Sequence, residues 1–313
     1  MKVLVTGATG FIGKRLSQRL AQEGYELVCA GRRLSKLGSL LYKAKAVELD
    51  IRDPALLKSI LRREKPDAVF HCAALVSNGS LASLMRVNRD GTRNLFEACF
   101  KESIERVVYL SSVAVISGNP QNPLTEELPY SAANRYGESK IEAEKIALSY
   151  REKGLKVCVI RPVMVYGEYE PHLLGLISKL VKYRLIPVVG SGENKLQLVC
   201  VDNVVDVMVL ALSDERAYEG TYIVADKETL TVREFFEYIA KAQNANHPFV
   251  IYDNLLSFFE LIPFIKKKLS FFKKDRTYSI ERMKNNLGYT PRLSTYDELK
   301  KAVLSYGKEK EPA

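Results

Sequence analysis

Short runs rich in valine, isoleucine and leucine alternate with longer amphipathic stretches through the first half of the chain. The strand-like runs fall at 3–6, 27–30, 46–49, 68–71, 107–111 and 157–160. Between them, 11–22, 54–63, 81–101 and 136–152 carry the apolar spacing of helices with one buried face. Strands alternating with helices predict a parallel sheet covered on both sides. The strand runs are apolar on consecutive residues, as burial on both faces requires. After about residue 165 the pattern breaks up around Pro162, Pro171, Pro187, Gly190 and Gly192. Beyond that point 201–212 and 231–242 read as helices and 220–224 as a strand. The expectation is an α/β protein with a doubly wound parallel sheet in residues 1–165, joined by return segments near 196–226. Residues 166–195 and 227–313 would form a smaller, interleaved C-terminal domain.

Composition narrows this picture. Of 313 residues, 47% are hydrophobic and 27% charged, enough apolar surface for a core, which excludes a disordered chain. Cys29, Cys72, Cys99, Cys158 and Cys200 are scattered and odd in number, so they read as buried thiols rather than a disulfide framework. His71, His172 and His247 do not cluster, and no metal is expected. No run approaches the roughly 18 apolar residues of a membrane span. Met1–Thr6 leads straight into glycine-rich sequence without a signal-peptide core, so a cytoplasmic location is expected. The net charge of +10 raises nucleic acid, a membrane surface or a phosphorylated ligand. No nucleic-acid-binding signature accompanies it, and nucleic acid is not an expected partner.

The first strand runs into Gly7-Ala8-Thr9-Gly10-Phe11-Ile12-Gly13, which opens the first helix. A glycine-rich strand-to-helix turn lets backbone approach a pyrophosphate at a helix N-terminus. The spacing GxxGxxG resembles the extended branch of the short-chain dehydrogenase/reductase superfamily, the epimerase/dehydratase family. Asp50 with Ile51, the run His71-Cys72-Ala73-Ala74, Asn88 in Val87–Thr92, and Gly288–Pro291 extend the resemblance over nearly the whole chain. It implies a Rossmann-type dinucleotide-binding domain and a substrate-binding C-terminal domain. It also implies cofactor contacts at Gly7, Thr9, Gly10, Phe11, Ile12, Gly13, Asp50, Ile51, Cys72, Ala73, Ala74 and Asn88, and at Pro162 and Val163 beside the nicotinamide.

An acid ending the second strand would bind the ribose hydroxyls of NAD. The chain has Gly31-Arg32-Arg33 there, and two guanidiniums suit a 2′-phosphate. NADP is therefore favoured over NAD. Tyr136-Gly137-Glu138-Ser139-Lys140 is Tyr-x-x-x-Lys, with the two ends on one helix face. A nearby ammonium is expected to lower the phenol's pKa and make Tyr136 a general acid/base. Lys140 would also bind the nicotinamide ribose by resemblance. Ser112 is the implied substrate-oxygen ligand, with Ser111 the fallback.

Dehydratases of the family carry an Asp-Glu pair after the catalytic hydroxyl, where this chain has Val113-Ala114. The diphosphate ligands of the nucleotide-sugar epimerases match Met164 and Leu196 here, although Lys179, Lys182, Arg184 or Lys195 could substitute. Six of twelve phenylalanines and five lysines fall within 249–274. Three readings stand for that segment: pocket lining for an apolar ligand, the small domain's core, or a peripheral membrane contact through 255–274. The resemblance is nearest to the dihydroflavonol reductase and 3β-hydroxysteroid dehydrogenase branch. The leading expectation is an NADP-dependent oxidoreductase acting on an apolar carbonyl or secondary alcohol as its small-molecule substrate. A nucleotide-sugar epimerase holding NAD and a non-catalytic dinucleotide sensor are the alternatives. A homodimer through 81–101 and 135–152 is expected by resemblance; the stripe Leu84, Val87, Leu95 and Ala98 would suit it or packing on the sheet.

Overall fold

The computed structural model describes residues 1–76, 79–251 and 274–306. The chain builds β1 (Lys2–Thr6), α1 (Phe11–Gln22), β2 (Glu26–Gly31), β3 (Lys45–Glu48), α2 (Pro54–Glu64) and β4 (Ala68–His71). It continues through α3 (Leu81–Leu84), α4 (Asp90–Lys101), β5 (Arg106–Leu110), α5 (Arg135–Glu152) and β6 (Lys156–Pro162). It then leaves the main sheet for β7 (Met164–Tyr166), α6 (Leu174–Lys182), β8 (Val188–Val189) and β9 (Lys195–Cys200). Through α7 (Val201–Ser213) it returns to β10 (Thr221–Val224), the seventh strand of a wholly parallel sheet ordered β10-β6-β5-β4-β1-β2-β3. The order reverses beside β1, and in doubly wound sheets the ligand crevice opens at that switch point.

Local chemistry sets the helix starts. Asp53 accepts from Leu56 N at 2.9 Å ahead of Pro54, and Asn134 accepts from Gly137 N at 2.9 Å. The stretch expected as one helix over 81–101 is interrupted at Met85–Arg89 by a wide π-type turn, which separates α3 from α4. Leu16, Leu20, Phe70, Val108, Val204 and Met208 form the core on the α1/α7 face. Leu57, Leu61, Leu95, Phe96, Tyr109 and Ala147 form it on the α2/α4/α5 face. Leu84 and Leu95 are fully buried, Ala98 nearly so and Val87 partly, so that stripe packs inward.

The smaller unit has a sheet ordered β11-β9-β7, with β11 at Thr229–Thr231. Thus β9 belongs to this sheet, and the return to the main sheet starts at Val201. α8 (Val232–Ala242) starts at a Thr231/Glu234 capping box. A short strand β12 (Val250–Ile251) pairs with β8; α9 (Glu281–Leu287) and α10 (Thr295–Ser305) complete the described chain. Buried Gln197 fastens the unit, donating to Asp226 O and accepting from Tyr278 N, each at 2.8 Å. The Phe- and Lys-rich stretch lies outside the described residues, apart from 249–251 and 274, and so does the membrane contact expected of it. No described helix is long and apolar enough to cross a membrane. All five cysteines are free thiols.

Candidate active site

The β1–α1 turn is closed by glycine. Gly7 has φ +68°, and a Cβ there would sit 2.6 Å from Ala73 N. A Cβ on Gly13 would lie 2.3 Å from Gly7 O, so α1 can approach the turn only as glycine. Gly10 caps α1 without a side-chain bond, and no acid stands in the first turn. The first amides of α1 are therefore left to a ligand, at the positive end of the helix. They open on a cleft of about 1330 Å³. Every residue expected at the site lines this cleft except Asn88.

Asn88 instead stands behind the wall. It is buried in the wide turn, accepts from Leu75 N at 2.7 Å, and donates to Leu75 O at 3.1 Å and Ser139 Oγ at 2.9 Å. Its side-chain amide ties the loop after β4 to α5. The width of the turn, invisible in the residue pattern, aims it there.

At one end of the cleft β2 finishes in Gly31, followed by exposed Arg32 and Arg33. Asp50 lies opposite, and Arg52 forks onto both its oxygens, with Nε at 2.9 Å from Oδ1. The guanidinium holds the Asp50 carboxyl down to about 2. Sequence reading missed Arg52; its one signal is a cation two residues after the acid.

At the other end, helical spacing puts Tyr136 and Lys140 on the inner face of α5. Tyr136 bonds with Ser112, and burial pushes its phenol up to about 12. Lys140 is buried, with Nζ donating to Tyr109 Oη at 2.7 Å and Leu110 O at 2.8 Å. This corrects the expected lowering of Tyr136. The ammonium is engaged on β5, desolvation dominates, and the phenol stays protonated at neutral pH. Burial also pushes Lys140 down to about 7. Ser112 Oγ accepts from Ala114 N at 3.1 Å, while Ser111 Oγ donates to Glu144. Glu144 in turn pairs with Arg161 inside the core. Ser111 is thus consumed by structure, and Ser112 is the serine that meets Tyr136.

The remaining wall is largely apolar. Met164 lines it beside Leu198, its register partner on β9, whereas Leu196 points into the smaller unit's core. None of Lys179, Lys182, Arg184 and Lys195 lines the cleft. The carboxylate of Glu170 accepts from the amides of His172, Leu173 and Leu174 at 2.7, 2.8 and 2.8 Å. The start of α6 is thus filled by the chain's own anion, a contact that no spacing in the sequence announced.

The glycine turn, the unfilled amides of α1 and the small residues Ala73 and Ala74 fit a dinucleotide. When bound, a nicotinamide dinucleotide supplies or accepts a hydride. Protonated Tyr136, bonded to Ser112, can give a proton to an oxygen that gains charge beside it.

Comparisons with known proteins agree. The chain is 28% identical to the 2-alkyl-3-oxoalkanoate reductase of Stenotrophomonas maltophilia, over 97% of this chain and 99% of that one. It is 32% identical to the UDP-glucose 4-epimerase of Mycolicibacterium smegmatis, over 78% and 83%. The crystal structure of UDP-glucose 4-epimerase with UDP-glucose from Thermotoga maritima superimposes with a TM-score of 0.81 at 23% identity, covering 99% of this chain and 100% of that one. The model of the NAD dependent epimerase/dehydratase family matches residues 3–225, and the chain belongs to that family.

Proposed function

We propose that the protein is an NADPH-dependent reductase of a relatively apolar carbonyl compound. The observation that carries this reading is the basic end of β2. Arg32 and Arg33 border the cleft where an acid would serve NAD, and Arg52 neutralises Asp50 opposite them. A 2′-phosphate is the ligand group that two guanidiniums complement best. Tyr136 acts as the proton donor to the substrate oxygen, Ser112 orients that oxygen, and Lys140 holds the nicotinamide ribose.

Met164, Leu198 and the self-capped start of α6 support an apolar substrate. A buried diphosphate facing these groups would lack partners, at a cost of several kcal/mol. The relative named as a 2-alkyl-3-oxoalkanoate reductase, an enzyme for alkyl-substituted keto acids by that name, supports the same substrate class.

The test is cofactor identity. Freshly purified protein is denatured, any released nucleotide is identified, and emptied protein is titrated with NADPH and NADH. A largely empty preparation that binds NADPH at least about tenfold tighter supports a reductase exchanging its cofactor every turnover. Stoichiometric, tightly held NAD⁺ would overturn the proposal in favour of a nucleotide-sugar epimerase.

A further inference from the structure

Three neighbouring strands place Thr6, His71 and Tyr109 in one row. Thr6 pairs with His71 across β1 and β4, and His71 with Tyr109 across β4 and β5. All three are buried, as are Thr92 on α4 and Lys140 on α5 above them. Their polar atoms follow one another in a chain. Lys140 Nζ lies 2.7 Å from Tyr109 Oη, and the Thr92 hydroxyl is the next polar group to the Tyr109 phenol. Thr92 Oγ1 lies 3.0 Å from His71 Nε2, and His71 Nδ1 lies 2.8 Å from Thr6 Oγ1. Thr6 Oγ1 ends the chain 3.4 Å from Phe70 O.

In its charged form Lys140 fixes the direction of every bond, because an ammonium can only donate. Tyr109 Oη accepts from it, so the phenol's own proton goes to Thr92. Thr92 then donates to His71 Nε2, which must be the bare ring nitrogen. The imidazole proton sits on Nδ1 and goes to Thr6, whose hydroxyl is left to donate to Phe70 O. In this direction every buried hydroxyl proton has an acceptor. Reversed, the Tyr109 proton has none among the described contacts, and a buried unmade hydrogen bond is costly.

We infer that Tyr109 is the positioning residue for Lys140, held as an acceptor by the one-way chain Thr92–His71–Thr6 that reaches back to the strand before the glycine turn. The inference rests on Lys140 as the cation of the proposed site, and not on which carbonyl or dinucleotide is used. The chain ends on a backbone carbonyl, so it orients the ammonium and conducts no proton to solvent. Burial pushes His71 down to about 3, which keeps the ring neutral as the chain requires. The other titratable groups facing Lys140 are Glu144, one turn along α5, and Cys72 after β4.

The test is nitrogen NMR on the full chain with labelled lysine and histidine, with Lys140 and His71 assigned by Lys140→Arg and His71→Gln. In the wild type, Lys140 is expected to titrate near neutral pH, and below its midpoint His71 is expected neutral with its proton on Nδ1. Tyr109→Phe removes the accepting oxygen, and the Lys140 midpoint falls by about one pH unit through loss of a charge-assisted bond. Thr92→Val, which strands the Tyr109 proton, moves it the same way by less. A His71 proton on Nε2 below the Lys140 midpoint, or an imidazolium at neutral pH, overturns the inference with no variant needed. An unchanged Lys140 midpoint in folded Tyr109→Phe overturns it as well. Both readouts are independent of the nucleotide titration, so either proposal can fail alone.

Discussion

Arg52 closes on both carboxylate oxygens of Asp50 at the end of the cleft that Arg32 and Arg33 border. Asp50 is therefore matched by a cation of its own, and it does not cancel the pair at the end of β2. Replacing Arg32 and Arg33 together by alanine is expected to weaken NADPH binding about 10- to 100-fold, the loss of one or two charge-assisted contacts. NADH binding should change by less than about threefold. Fluorescence titration of either nucleotide reads the difference, and equal losses for both would refute a 2′-phosphate role.

The two serines after β5 should separate cleanly. Ser112 bonds with Tyr136, so Ser112→Ala is expected to lower carbonyl-dependent NADPH oxidation by about 10²-fold or more while the melting temperature holds. Ser111 serves the buried Glu144 carboxylate, so Ser111→Ala should cost about 1–3 kcal/mol of stability and leave nucleotide affinity intact. Denaturant melts and initial rates on both variants decide it. The reverse pattern would exchange their roles.

The nucleotide end of this site was legible because it is local. The strand, glycine turn and helix of residues 2–22 follow one another without a break, and α1 begins and ends where the apolar spacing does. What escaped the sequence is non-local. The small sheet joins 164–166, 195–200 and 229–231, short strands far apart in sequence whose pairing no periodicity records. Asn88 was read as a ligand because its motif says nothing of the wide turn that carries it. Tyr136 was given a lowered pKa from the Lys140 spacing alone. That spacing gives a shared face but not burial, nor the rival acceptors Tyr109 and Leu110 O that engage the ammonium.

Arg161 and Glu144 form a nearly solvent-free ion pair behind Ser111, whose hydroxyl donates to Glu144. Tyr130 Oη also donates to Glu144 at 2.9 Å, and Arg161 donates to Glu126 O at 3.3 Å. Arg161→Met strands a carboxylate in the core and is expected to cost about 3–5 kcal/mol. Arg161→Met with Glu144→Leu removes both charges and should recover much of that loss. Urea midpoints of the two single variants and the double give the coupling directly. Additive losses would mean that the pair is not coupled.

Lys140 makes stability depend on pH in a direction opposite to that of an ordinary surface lysine pair. Its pKa falls from 10.5 in the reference state to about 7 in the folded chain. Between these values the unfolded chain binds more protons, so stability rises with pH across this window. It is highest above the unfolded value and is lost as pH falls towards 7. Lys140→Met removes the titration, so the wild type should gain stability over this variant steadily from pH 7 to 10. At pH 7 the variant should melt no lower than the wild type, even though Lys140's contacts to Tyr109 and Leu110 O are gone, because the uncompensated charge has gone with them. Melting temperatures of both proteins at half-unit pH steps provide the check. Parallel curves would mean that Lys140 is fully charged in the folded protein, compensated by its partners rather than strained by its burial.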